Sequence, residues 1–122
     1  QPSARERQVL YAVYALGEAT ATDVLAAMPD PPSRNAVRTF LRILEEKGKL
    51  RHRTRGREYV YRPTRSRKRA GQAAVRQVLQ TFCEGSLEKA VALYLQDPTA
   101  QIPPEELERL ENLIRDARKQ GR

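Results

Sequence analysis

Five arginines fall within the thirteen residues Arg51–Pro63, whose sequence is RHRTRGREYVYRP. Guanidinium groups at this density are suited to bind phosphate oxygens. Gly56 supplies the permissive backbone of a tight turn, and the run Tyr59-Val-Tyr61 favours a strand. We therefore predict a β-hairpin with strands over residues 50–54 and 58–62. Alternation puts the arginines of the first strand on one side, and the hairpin residues that we expect to bind phosphate are Arg51, Arg53, Arg55 and Arg57.

A solvated edge strand is the alternative interpretation of this hairpin, because charged side chains on an edge prevent strand-to-strand aggregation. The two interpretations are compatible. We expect Tyr59, Val60 and Tyr61 to pack the hairpin against a core rather than to stack on bases. His52, the single histidine of the chain, is expected within the first strand near the basic surface.

A second set of polar residues lies at the start of the segment Ser33–Gly48. At about 100° per residue, its apolar side chains fall on one arc of a helix and its arginines on another. Arginine can bind guanine through two hydrogen bonds, asparagine can bind adenine, and threonine can contact a thymine methyl group. The residues that we expect to reach DNA from this helix are Ser33, Arg34, Asn35, Arg38, Thr39 and Arg42. The alternative is an ordinary surface helix whose arginines point into water.

Caps and prolines define the elements that must position these residues. Ser3 begins a predicted helix over residues 4–16, Thr20 begins a short second helix that Pro29 ends, and Ser33 begins the third helix. Gly48 ends that third helix just before the hairpin. Three helices followed by a basic hairpin are the order of a winged helix-turn-helix, in which the third helix is the recognition helix.

Three further helices are predicted after the basic junction 64–69 (TRSRKR), which we interpret as a domain boundary. Each carries one apolar stripe, and three short helices alone make a poor core. A second copy of the chain would cover the stripes, and packing on the N-terminal module is the alternative. The predicted fold is mainly α with a small β-hairpin wing: residues 1–65 bind DNA and residues 66–122 form a helical dimerisation domain. The predicted dimer contacts are Val75, Val78, Leu79, Phe82, Leu107, Leu110 and Ile114.

The charge distribution favours the same division. The chain has a net charge of +8, and residues 1–69 carry 16 Lys and Arg against 7 Asp and Glu. The remaining residues carry 7 against 8, so the excess positive charge lies entirely in the first part. A basic module beside a neutral one points to a nucleic acid or an anionic membrane surface. No apolar run approaches the roughly 20 residues that span a bilayer. We expect DNA, and not a membrane, as the partner of the basic module.

Catalytic and metal sites are not predicted. The chain has one histidine and one cysteine, Cys83, and it lacks a glycine-rich phosphate loop and an HExxH motif. A single cysteine excludes an intramolecular disulfide framework and a multi-cysteine metal site. We expect no enzymatic activity, no cofactor and no bound metal. The polar start Gln1–Gln8 predicts no signal peptide, so a cytoplasmic, nucleoid-associated protein is expected.

The segment Ser33–Gly48 (SRNAVRTFLRILEEKG) resembles the S-x-x-T-V-x-x-x-L-x-x-L-x-x-K-G pattern of the penicillinase-repressor (BlaI/MecI-type) family. The hairpin end Arg57–Pro63 and the segment LGEATATDVLAAMPDPP are similar to that family too. The resemblance covers nearly the whole chain. It implies a dimeric repressor with an N-terminal winged helix and a C-terminal dimerisation domain on a palindromic operator.

The chain departs from that family's pattern at three points. Ala36 stands where threonine is common, which removes one expected polar contact. The two asparagines precede Ala36 and Leu113, so the Asn-Phe bond that is cleaved in relatives controlling β-lactam resistance is missing. Cys83 alone does not reproduce the C-terminal cysteine motif of copper-responsive relatives. The sequence therefore does not identify the inducing signal or an upstream sensor.

The leading hypothesis is a sequence-specific repressor that acts as a homodimer on a palindromic operator in double-stranded DNA. A sequence-tolerant architectural DNA binder is one alternative, and a winged-helix module for protein interaction is another. An effector-binding regulator lacks a convergent polar cluster in the sequence and is favoured least.

Overall fold

The computed structural model describes residues 3–121, within which six helices and one β-hairpin follow the predicted order. The elements are α1 (Ala4–Leu16), α2 (Ala21–Ala27), α3 (Arg34–Glu46), β1 (Leu50–Arg55), β2 (Glu58–Pro63), α4 (Arg67–Phe82), α5 (Leu87–Leu95) and α6 (Pro104–Lys119). The predicted fold class, mainly α with a small hairpin wing, is confirmed. Among these helices none combines the length and the apolar composition that crossing a bilayer requires.

Side-chain caps set the starts of the first three helices. The Ser3 and Ser33 hydroxyls accept hydrogen bonds from backbone N–H groups three residues later. Thr20 forms a full capping box with Asp23, in which each side chain accepts from the backbone N–H of the other residue. These bonds satisfy amides that have no partner inside a helix. The short α2 ends at Ala27, and the extended backbone of Met28 leads into the proline-rich segment 29–32.

Residues through Ala74 form one compact unit with its own core. Each of the first three helices buries one apolar stripe in it, and the hairpin adds one residue from each strand. The buried core residues of this unit are Val9, Leu10, Val13, Ala19, Val24, Met28, Val37, Leu41, Leu44, Leu50 and Tyr61. The core therefore fixes the hairpin to α3 at its base, through Leu50 and Tyr61.

The hairpin is antiparallel, with Leu50 opposite Pro63 and Arg55 opposite Glu58. Gly56 adopts a φ of +64°, as at the first central position of a type II′ turn. A short third segment lies against β2, because Ala19 and Tyr61 exchange two backbone hydrogen bonds of 2.9 and 2.8 Å. This bridge ties the hairpin to the α1–α2 connection.

Residues from Val75 form a second compact unit, so that α4 begins in the first unit and ends in the second. Cys83 is buried there, whereas most of its large apolar side chains are exposed. The assignment of residues 1–65 to DNA binding and residues 66–122 to dimerisation stays a prediction.

Candidate nucleic-acid interface

The first two turns of α3 present a polar face on a helix whose other face is buried. Arg34, Asn35 and Arg38 are exposed, and their side chains take part in none of the hydrogen bonds or ion pairs within residues 3–121. Val37 and Leu41 are fully buried on the opposite side and hold the helix to the core. Two guanidiniums and one amide are thus held on a rigid element with their donors available to base edges and phosphates.

The other predicted recognition-helix residues are exposed but already engaged. The Ser33 hydroxyl accepts from the Ala36 amide at 3.1 Å and caps the helix. The Thr39 hydroxyl donates to the Asn35 carbonyl at 3.0 Å. Arg42 donates to Glu46 at 3.2 Å in an exposed pair. These residues can still support a contact with DNA, because the Ser33 O–H and most of the Arg42 N–H groups remain available to donate.

The four wing arginines are all exposed, and the structure separates them by their surroundings. Arg51 and Arg57 make no ion pair within the described part of the chain, and Arg57 lies in the turn at the tip. Arg55 lies 4.0 Å from the Glu58 carboxylate. Arg53 donates to Glu18 at 2.9 Å, so its guanidinium is held toward the α1–α2 connection.

The run Tyr59-Val-Tyr61 does not act as one packing unit. Val60 and Tyr61 are buried as predicted, but the expectation that Tyr59 packs into the core is wrong, since its side chain is half exposed. Tyr59 instead stacks on His52, with ring centroids 4.0 Å apart and planes 15° from parallel. Burial, reinforced by the nearby Glu45 carboxylate, raises the pKa of the Tyr61 phenol.

Two residues near this surface, Glu18 and Glu45, were missed by sequence reasoning. Glu18 holds Arg53, and Glu45 of α3 holds the Nδ1 of His52 at 2.7 Å. Neither pair has a local sequence signal, because the partners are 35 and 7 residues apart across a loop or a turn.

The predicted dimer contacts lie in the second unit on α4 and α6. Phe82 is 72 % exposed, the most exposed of the large apolar side chains, and Val75, Val78 and Ile114 are about half exposed. Leu107 and Leu110 are less exposed, and Leu79 is half-buried. Apolar side chains of this size and number on one small unit are typical of a surface that another chain covers.

No three His, Cys, Asp or Glu side chains of residues 3–121 gather where they could hold a metal ion. Cys83 is free and buried.

A core-anchored helix with an exposed polar start, after a short helix and before a basic hairpin, defines a winged helix-turn-helix regulator. The chain belongs to the penicillinase repressor family, whose model matches residues 2–116. It is therefore a DNA-binding transcriptional regulator and not an enzyme.

One solved structure adds a likeness of fold. Bordetella bronchiseptica BpsR, whose DNA binding is regulated by 6-hydroxynicotinic acid, matches over 98% of this chain and 76% of its own, with a TM-score of 0.51 and 18% identity. A protein described as a possible transcriptional regulator for arsenical resistance is 30% identical over 72% of this chain and 84% of its own, with a TM-score of 0.46. No curated protein sequence matches the chain.

Proposed function

We propose that the chain is a repressor that binds a palindromic operator sequence-specifically as a homodimer. The observation that carries this proposal is the exposed set Arg34, Asn35 and Arg38 on a helix whose opposite face is fully buried. A recognition helix needs such an arrangement, since its N-terminal residues must reach base edges while the core fixes its angle. In this proposal residues 1–65 bind DNA, and the protein acts on the nucleoid in the bacterial cytoplasm.

The wing contributes affinity in this proposal rather than sequence choice. Arg51 and Arg57 have their guanidiniums available for phosphate oxygens, and the partners of Arg53 and Arg55 are exposed carboxylates. Exposed ion pairs contribute only about 0–1 kcal/mol, so phosphate can replace these carboxylates at little cost. Phosphate contacts fix the position of the protein on DNA but carry no sequence information.

The homodimer is supported by the exposed apolar side chains of the second unit, above all Phe82. A two-fold dimer would cover the same patch on both copies and would present two recognition helices about 34 Å apart, one helical turn of DNA. Analytical ultracentrifugation should show a dimer for the wild type and a monomer for Phe82→Glu. Tyr94→Glu, which adds the same charge at a half-exposed position outside the proposed contacts, should stay dimeric. A monomeric wild type at micromolar concentration would contradict this part of the proposal.

Selection of bound sequences from a random DNA pool tests the function as a whole. The expected result is an enriched palindrome whose half-sites are separated by about one helical turn, with affinity that falls steeply as salt rises. If binding is salt-sensitive but no sequence is enriched, the repressor proposal is overturned and an architectural DNA binder remains. Absence of DNA binding even at low salt would leave a winged-helix module for protein interaction.

A further inference from the structure

One polar contact joins the last turn of the recognition helix to the wing. The Nδ1 of His52 in β1 lies 2.7 Å from Oε1 and 2.8 Å from Oε2 of Glu45 in α3. Since an ionised carboxylate only accepts hydrogen bonds, Nδ1 carries a hydrogen and donates a hydrogen bond to Glu45. Both side chains are about 30 % exposed, at 28 % for His52 and 32 % for Glu45, so solvent screens this bond less than a pair on the open surface.

The imidazole is fixed by a second contact on its face. Tyr59 of β2 stacks on His52 with ring centroids 4.0 Å apart, and Tyr61 lies next to it at 5.5 Å. Tyr61 is directly opposite His52 in the hairpin register, and Tyr59 is opposite Thr54, one diagonal step toward the tip. The ring therefore couples both strands of the hairpin to one carboxylate of α3.

The outer half of the hairpin is held in part by this coupling, because the core reaches only Leu50, Val60 and Tyr61. The Arg53–Glu18 pair leads to the α1–α2 connection and not to α3. Leu50 and Tyr61 are the hairpin residues of the core cluster, whereas Arg53 through Tyr59 are all exposed. An isolated two-stranded hairpin is marginally stable in water. The Glu45–His52 bond and the Tyr59 stack supply the links between α3 and the part of the wing that carries the arginines.

We infer that Glu45 and His52 are positioning residues that hold the wing at a fixed angle to the recognition helix, so that both engage one DNA molecule together. The inference rests on the proposed function. It assigns Glu45 a role opposite to that expected from its charge. A carboxylate on a helix that approaches phosphates repels DNA, so electrostatics alone predicts that its removal strengthens binding.

Glu46 provides the matched control, since it lies one residue further on the same turn and carries the same charge. Its carboxylate pairs with Arg42, so its removal breaks an ion pair of α3 without touching the wing. Glu45→Ala should weaken DNA binding about tenfold, which corresponds to about 1.4 kcal/mol. Glu46→Ala should bind equally or more tightly. Glu45→Gln, which keeps an oxygen that can accept from Nδ1, should recover part of the loss.

The slope of log affinity against log salt separates positioning from a general loss of folded protein. Each lost phosphate contact makes the slope shallower by about 0.9, whereas a smaller folded fraction leaves it unchanged. Glu45→Ala and His52→Ala should each make the slope shallower by about 0.9, the equivalent of one phosphate contact. The double variant should lose no more affinity than either single variant. His52→Phe keeps a ring against Tyr59 but cannot donate to Glu45, so it should resemble His52→Ala on DNA with less loss of thermal stability.

The inference is overturned if Glu45→Ala binds as tightly as Glu46→Ala, if its slope equals that of the wild type, or if the two single losses add in the double variant. All measurements use the full chain with the selected operator and with a random duplex of about 30 base pairs, or about three helical turns. Equal wild-type affinity for both duplexes would overturn only the sequence-specific function. The role of Glu45 and His52 could then still be tested, because the salt slope of each variant can be measured on the random duplex. Failure of the wild type to bind either duplex would overturn both proposals.

Discussion

The guanidinium of Arg53 donates a hydrogen bond to the Glu18 carboxylate at 2.9 Å and thereby joins the middle of β1 to the α1–α2 connection. Each side chain is about half exposed. A pair this open contributes little to stability, about 0–1 kcal/mol, and exchanges readily for another anion. Glu18 thus competes with phosphate for one of the arginines that we propose to bind DNA.

Removal of Glu18 is expected to strengthen DNA binding through Arg53. Glu18→Ala should tighten Kd by up to about fivefold, since Arg53 then meets a phosphate without first leaving a carboxylate. Fluorescence anisotropy with a labelled operator measures the change. Arg53→Ala is the control background, in which the gain should vanish. A gain that persists there would show that only the overall charge matters.

Arg38 and Arg57 are expected to affect DNA binding in different ways. Arg38→Ala on the recognition helix should cost about 1–3 kcal/mol on the preferred operator and should relax the preference at one position of each half-site. Arg57→Ala at the wing tip should weaken binding to preferred and random duplexes by the same factor, because phosphate contacts do not read sequence. Competition assays with single-base operator variants distinguish the two results. Identical profiles for both variants would contradict the division of roles between helix and wing.

Acid is expected to destabilise the first unit through Glu6. The hydrogen bond from the Lys47 ammonium, 2.8 Å away, is the main cause that lowers the pKa of Glu6, and Ser3 adds to it. The ionised form is therefore favoured by folding, so the stabilisation is present above the usual glutamate pKa of about 4.3 and is lost as pH falls through the lower folded value.

Urea unfolding between about pH 6 and pH 3 measures this effect across the range in which glutamate titrates. The stability difference between the wild type and Lys47→Gln should shrink toward the acid end. Lys49→Gln removes the same charge from a lysine that makes no ion pair within residues 3–121, so its difference should change less with pH. If the stability differences of both variants change with pH in the same way, Glu6 does not contribute to the acid destabilisation.

Alkali is expected to destabilise the same unit through Tyr61. Burial raises the pKa of its phenol, and the negative charge of Glu45 adds to this effect. Since folding favours the neutral phenol, the stabilisation is present below the usual tyrosine pKa of about 10 and is lost as pH rises through the higher folded value. Tyr61→Phe should flatten the fall of the melting temperature above about pH 10. Tyr11→Phe, at a half-exposed position on α1, serves as the control and should leave the fall in place.

The helices and the hairpin could be predicted because their signals are local. Ser33, the apolar spacing of Val37, Leu41 and Leu44, and Gly48 define α3 within a few residues of its observed limits. The hairpin could be found from Gly56 and the strand-forming residues beside it, although each strand extends one residue beyond the predicted end. Capping and periodicity act over at most a few turns, so they can be read in one segment without knowledge of the others.

The partners of the charged side chains could not be predicted in the same way. Alternation along β1 placed three arginines on one side but could not show that Glu18 holds Arg53. It also gave no sign that Glu45 binds His52 or that Tyr59 leaves the core to stack on the imidazole. A surface ion pair has little energy of its own, so its partner is whichever opposite charge the packed core brings near.

By itself, the sequence determined the class of the protein: the order of the elements, the basic first part and the amphipathic helix that can enter a DNA groove. These properties follow from spacing and composition, which folding does not alter. Only the tertiary structure decided which arginines are available to a phosphate and which carboxylates hold the others. That choice depends on distances between segments far apart in the chain, and only the packing of α1, α3 and the hairpin around one core sets those distances.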